Sequence, residues 1–180
     1  HVVSYDTITG GVQMKNTHQG NSHESAWSRG QAWGLYGFDI AYKYTGRQEF
    51  LDQAQKIAEY IFTHPNLPED LIPYWDYDAP NIPDEPRDVS AAAVTASALF
   101  SLAEHVPAKA EQYRNWANAI LASLMKEEYQ LDVAPFFLQH SVGSIPGKFE
   151  PDSPIIYADY YYVEALTRSK KQANQTAKNR

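Results

Sequence analysis

Val89–His105 reads VSAAAVTASALFSLAEH, with no charged residue before Glu104 and an aspartate, Asp88, standing directly in front of it. An aspartate before an alanine-rich run is a helix N-cap, because its carboxylate accepts from backbone N–H groups that the first turn leaves unpaired. The run falls short of the roughly 20 apolar residues of a membrane span, and a helix that is apolar all round is buried all round. This segment is therefore expected at the centre of the fold.

Its neighbours contrast with it. Arg47 to Thr63 sets Phe50, Leu51, Ala54, Ile57, Ala58, Ile61 and Phe62 on one face and Asp52, Gln55, Lys56 and Glu59 on the other. Ala110 to Tyr129 repeats the pattern, with Tyr113, Trp116, Ile120, Leu121 and Leu124 in one stripe. Both read as surface helices. Further out, Glu24 to Tyr44 is apolar or aromatic on nearly every side and is followed by Gly46, placed for a left-handed helix end. Pro154 to Leu166, PIIYADYYYVEAL, is aromatic and nearly uncharged, with Ser153 as expected cap and Pro154 as first helical residue.

The order is buried, surface, buried, surface, buried. A bundle of equivalent helices would give each one a solvent face. Strict alternation predicts an all-α ring of helical hairpins, inner helices around an axis and outer helices shielding them. Five helices do not close such a ring, so further helices are expected before His1, which is also not a methionine. Gly30, Gly34, Gly37 and Ala41 fall within about 60° of one another on a helical wheel, a seam of small residues suited to a crowded interior.

Residues 1–168 are read as one domain. The opening twenty residues, with β-branched runs around Gly10 and Gly11, suggest a small hairpin or a looped segment. Residues 64–87 carry six prolines among aromatic and acidic residues, a long loop of the functional kind. Residues 169–180 lose apolar periodicity and read as a polar tail. A net charge of −7 and a pI near 5.3 argue against nucleic-acid binding, which needs a cationic surplus. No membrane segment is expected. The chain has no cysteine, and His23 and His140 have no companion at metal-ligand spacing, so neither a metal nor another cofactor is expected.

Arg29 and Trp33 lie four residues apart and share a helix face with Tyr36 and Ile40. Inside a ring of helices an arginine is either paired or open to a cavity. Its planar fork fits a carboxylate, and a tryptophan offers an apolar plane to a sugar ring. A structural salt bridge and an anion-binding role both account for Arg29 at this point.

Three blocks, HQGNSHESAWSRGQAWGLYGFDIAYKYTG, PYWDYDAPNIPDEPRDVSAAAVTASAL and HSVGS with IIYADYYYVEAL, closely resemble the carboxy-terminal half of the unsaturated glucuronyl hydrolases, glycoside hydrolase family 88. The resemblance implies an (α/α)6 barrel, of which this chain is the C-terminal part. It also implies removal of a Δ4,5-unsaturated glucuronic acid from the non-reducing end of lyase-generated oligosaccharides, by hydration of the vinyl ether. By the family pattern Arg29 and Trp33 correspond to substrate-binding residues, His1 and Gln19 to active-site polar groups, and Thr17 to a pocket-lining position. The family's catalytic aspartates lie upstream of the position matching His1. Ser141 and Ser144 match a Ser-x-x-Ser-x-Lys pattern of members that accept sulfated fragments, with Pro146 at the lysine position and Lys148 two residues on.

The partner is then an unsaturated uronate-containing oligosaccharide, in a bacterial periplasm or cytoplasm. Two other readings are an unsaturated rhamnogalacturonyl hydrolase with the same barrel and a carbohydrate-binding barrel without catalysis. Among the remaining carboxylates, Asp88 is assigned to capping, Asp159 to a structural pairing or the pocket wall, and Asp76 and Asp78 to a solvated loop or a cleft rim.

Overall fold

The computed structural model describes the backbone of residues 2–178 and the side chains of residues 2–174. The chain opens with an antiparallel hairpin of β1 (Val2–Tyr5) and β2 (Val12–Asn16). The turn is built on Asp6, whose carboxylate accepts from the N–H groups of Ile8 and Thr9. Gly10, at φ 72°, occupies the left-handed region that the return requires.

Five helices follow: α1 (Ser28–Thr45), α2 (Gln48–Thr63), α3 (Val89–His105), α4 (Ala110–Leu124) and α5 (Ile156–Lys178). α1 and α2 form one helical hairpin, turned at Gly46 in the left-handed conformation, and α3 and α4 form a second. α3 packs along α1 on one side, α5 on the other and α4 behind. The expected alternation is thus an arc of inner helices, α1, α3 and α5, backed by α2 and α4. The outer pair meets where Phe62 and Trp116 stack with ring centroids 4.0 Å apart.

Asp88 caps α3 as expected, its carboxylate accepting from Ser90 N–H. Every residue from Val89 to Ala103 is buried. The same is not true of α1 and α5. On α1, Gly37 and Tyr44 are exposed; on α5, Ile156, Tyr160 and Val163 are exposed. These two helices end the arc and have an inner neighbour on one side only among the described residues, whereas α3 has one on each side. Burial all round follows from position in the arc, so the expectation drawn from composition holds for α3 alone.

Two boundaries also differ from expectation. Ser153 does not cap α5: it forms a β-bridge to Ser141, and the helix begins at Ile156. Nor is there a break at residue 168. α5 continues through the expected polar tail to Lys178, held by Arg168 Nη1 donating to Ser97 O at 2.8 Å and by Gln172 Nε2 donating to Phe100 O at 2.7 Å. Its outer face is polar because it is solvated, while these two long side chains tie the inner face to α3 carbonyls.

Candidate active site

The N-terminal ends of α1, α3 and α5 meet at one end of the arc, where Arg29, Asp88 and Tyr157 come together. Three segments close over them: the loop between β2 and α1, the proline-rich loop before α3, and residues 125–155. A cleft of about 390 Å³ opens beside the start of α1, within the size range of small-ligand sites. Thr17 and Gln19 line it, together with His23, Ser25, Trp27 and Gln31.

The loop carrying Thr17 and Gln19 is ordered around Asp76. This residue is fully buried, and its carboxylate accepts from Asn21 N–H at 2.8 Å, Ser25 O–H at 2.7 Å and Asp78 N–H at 2.9 Å. Thr17 Oγ1 accepts from Gly20 N–H at 2.8 Å. A Cβ on Gly20 would lie 2.6 Å from that oxygen, so only glycine lets the loop close this tightly. His23 Nδ1 accepts from Thr17 N–H, which places the ring proton on Nε2. Asp76, read from sequence as a solvated-loop or rim residue, instead lies beneath the loop. Its neighbour Asp78 is exposed and accepts from Ala26 N–H.

Arg29 stands behind the cleft wall. Its side chain is 3% exposed, and Nη1 pairs with Asp88 Oδ2 at 2.7 Å and also donates to Val142 O. Nη2 donates to Gly143 O at 2.6 Å. The guanidinium lies over the rings of Trp27, 4.9 Å away, and Tyr157, 5.6 Å away. Arg29 thus makes the salt bridge weighed above, to a buried anion, and also donates to two backbone carbonyls. Asp88 has the double role of capping α3 and neutralising Arg29.

Trp33 lies one turn further along α1 on the same side and does not line the cleft. It packs edge-on against Tyr161 at 5.1 Å and tilted against Tyr157 at 6.2 Å, making a half-buried aromatic wall across α1 and α5. Burial pushes the phenol of Tyr157 up, opposed by the nearby Arg29 charge. Deeper in the arc, Glu164 accepts from Tyr36 O–H and Ser97 O–H and pairs with Arg168 at 3.0 Å. Burial, and then the Glu164 charge, push the Tyr36 phenol up to about 12.

Ser141 and Ser144 are also turned inward. Ser141 is fully buried in the bridge to Ser153, and its Oγ has no hydrogen-bond partner among the described residues. Ser144 is 3% exposed, pairs with Phe149 across a tight turn, and accepts from Gly147 N–H at 3.0 Å. Both serines belong to the hairpin that carries Gly143, and the Ser144 hydroxyl braces its turn. Asp159 takes the structural alternative, accepting from Phe137 N–H and Leu138 N–H. His1 lies outside the described residues.

The sequence reading missed Trp27. It starts the first helix at Glu24, which puts Trp27 inside the helix. In the structure Trp27 precedes α1 and folds its ring over Gly30, whose Cβ position lies 2.7 Å from Trp27 Cε3. The signal was the glycine three residues after the tryptophan, in a segment otherwise crowded with large side chains. Among the described residues no carboxylate lines the cleft, and no group of three or more histidines or acids is arranged to hold a metal ion.

No family model matches the sequence. Individual proteins do. An unsaturated glucuronyl hydrolase of Formosa agariphila is 46% identical over 173 residues, 94% of this chain and 43% of the relative. An unsaturated chondroitin disaccharide hydrolase of Streptococcus pyogenes is 33% identical across 97% of this chain and 44% of the relative. Among solved structures, an unsaturated glucuronyl hydrolase described as specific for heparin superposes with a TM-score of 0.93 at 47% identity, over 97% of this chain and 47% of that one. The enzyme of Bacillus sp. GL1 does so with a TM-score of 0.86 at 33% identity, over 92% of this chain and 45% of that one. The chain spans less than half the length of the relatives it matches, so its five helices are a segment of their (α/α)6 barrel. On sequence and backbone alike, this chain is similar to the unsaturated glucuronyl hydrolases over nearly its whole length.

Proposed function

We propose that the protein of which this chain forms a segment is a glycoside hydrolase. It removes a Δ4,5-unsaturated glucuronic acid from the non-reducing end of glycosaminoglycan-type oligosaccharides left by polysaccharide lyases. The observation that carries this reading is the cleft at the N-terminal end of α1. It is lined by Thr17 and Gln19, the residues that the resemblance assigns to the pocket, and by an indole, Trp27, that offers a sugar-stacking surface. The start of a helix also favours the negative charge of a uronate.

In this reaction a carboxylic acid protonates C4 of the vinyl ether, and positive charge develops at C5 beside the ring oxygen. Water adds at C5, and the resulting hemiketal opens with loss of the adjoining sugar. Gln19 and Thr17 orient the sugar and the attacking water; Trp27 packs against the ring. The acid is supplied from outside the described cleft. Asp76 and Asp88, the buried carboxylates nearest to it, are occupied by loop donors and by Arg29.

The test is to incubate the full-length protein with lyase-generated chondroitin, heparin and rhamnogalacturonan disaccharides and to follow the ultraviolet absorbance of the conjugated double bond. Loss of absorbance with the first two supports the proposal. Loss confined to the rhamnogalacturonan product assigns the related pectin-fragment activity, and saturable binding with no loss of absorbance assigns a non-catalytic barrel.

A further inference from the structure

We infer that His23 is a specificity-determining residue for the leaving group: its neutral imidazole donates from Nε2 to an acceptor oxygen of the sugar that is released. The inference rests on the function proposed above and names a contact within the same cleft.

The cleft has a floor and a rim. Thr17, Gln19 and Gln31 are half-buried, whereas His18 and His23 are exposed. A glycosidase that acts at the non-reducing end takes the terminal uronate to the floor, because the rest of the oligosaccharide has to leave through the opening. The adjoining sugar therefore passes the rim.

His23 is held there in one orientation. It occupies the second position of a turn closed by Ser25 N–H donating to Ser22 O at 3.2 Å. The turn is anchored on Asp76 from both sides, through Asn21 N–H at 2.8 Å and Ser25 O–H at 2.7 Å. The ring itself is fixed by Thr17 N–H, which donates to Nδ1 at 3.2 Å. His18 shares the rim, but no hydrogen bond among the described residues orients its ring.

Acceptance at Nδ1 decides what His23 can offer. Only the neutral ring accepts there, since the imidazolium carries donors at both nitrogens. The proton is then on Nε2, and that N–H has no partner among the described residues. A donor already fixed in place loses little freedom when a ligand binds. A sugar oxygen that reaches the rim gains a hydrogen bond, and a leaving group without such an oxygen gains none.

The experiment uses the full-length protein with His23→Asn and two substrates that share the unsaturated glucuronic acid, a chondroitin disaccharide and the methyl glycoside. Asparagine keeps an acceptor near the Nδ1 position for Thr17 N–H but does not extend to Nε2. On the disaccharide kcat/KM is expected to fall about fivefold, while the methyl glycoside stays within about twofold of wild type. Equal losses on both substrates would mean that His23 only braces Thr17, and undiminished turnover of the disaccharide would mean that there is no contact; either result overturns the inference.

A second variant, His23→Ala, also frees Thr17 N–H. It is expected to lower turnover of both substrates, with the disaccharide still about fivefold the more affected, and disappearance of that difference overturns the inference. A wild-type protein that turns over neither substrate ends the functional reading. Calorimetry of disaccharide binding then decides the contact: weakening by about fivefold in His23→Asn supports it, and unchanged or absent binding overturns it.

Discussion

Asp76 shows how a single carboxylate can shape a site without entering it. Three donors converge on it, two from the loop that carries Thr17 and Gln19, and no cation neutralises it among the described residues. Asp76→Asn replaces an acceptor oxygen with an NH2 group that faces donors, leaving a buried hydrogen bond unmade. The expected loss is about 2 kcal/mol of stability, read from urea unfolding, with faster exchange confined to residues 17–25. A uniform loss without local loosening would show that Asp76 serves the whole domain and not this loop. Ser144 gives the opposite case. Its hydroxyl is held by Gly147 N–H in the hairpin turn, so Ser144→Ala is expected to lower the melting temperature while leaving relative turnover of sulfated and unsulfated disaccharides within about twofold. A selective loss on the sulfated substrate would instead assign Ser144 a sulfate contact.

At the scale of elements, the helices themselves were legible because each surface helix keeps a strict 3.6-residue stripe and α3 departs from it completely. The ends of the elements were harder to read. Glu24 to Trp27 looks helical by composition, but Ala26 and Trp27 are taken up by pairing with the proline-rich loop, through Tyr77 N–H to Ala26 O and a bridge from Trp27 to Asp76. That long-range pairing leaves no local mark. It moves the helix start to Ser28 and turns Trp27 from an interior residue into a cleft wall. The positions of Arg29 and Ser141 were equally hidden, since a periodic pattern says which face a side chain occupies and not whether a loop has closed over it.

The glycines of α1 were read as one seam, yet they meet different neighbours. A Cβ on Gly34 would lie 3.1 Å from the terminal Cδ1 of Ile57 on α2, which can yield, whereas one on Gly30 would press into the Trp27 ring. Gly34→Ala is therefore expected to be neutral or stabilising by up to about 1 kcal/mol through helix propensity. Gly30→Ala is expected to cost activity by pushing Trp27 into the cleft, visible as altered tryptophan fluorescence. Equal effects of the two substitutions would mean that helix packing, and not the Trp27 contact, sets the need for glycine.

Across the whole molecule, the inner arc is held at one end by Arg29 and Asp88 and in its middle by a polar cluster drawn from three helices, Tyr36 of α1, Ser97 of α3 and Glu164 with Arg168 of α5. The titration of Tyr36 couples to folding. In the folded protein its phenol is pushed up to about 12 by burial and by the Glu164 charge, against 10.0 for an ordinary tyrosine. Between those values the unfolded chain loses the proton while the folded chain keeps it, so ionisation favours unfolding. The stability Tyr36 contributes is complete below pH 10 and is lost as pH rises towards 12. Burial pushes Tyr113 up to about 12 as well, and Tyr77 and Tyr129 higher still, so the alkaline decline is shared. In Tyr36→Phe the melting temperature is expected to fall at neutral pH, because the bond to Glu164 is gone, and then to decline less steeply than wild type from pH 10 to 12. A series of melting curves across that range checks the sign. An unchanged slope in the variant would place the alkaline sensitivity in the other tyrosines and leave Tyr36 as a hydrogen-bond donor alone.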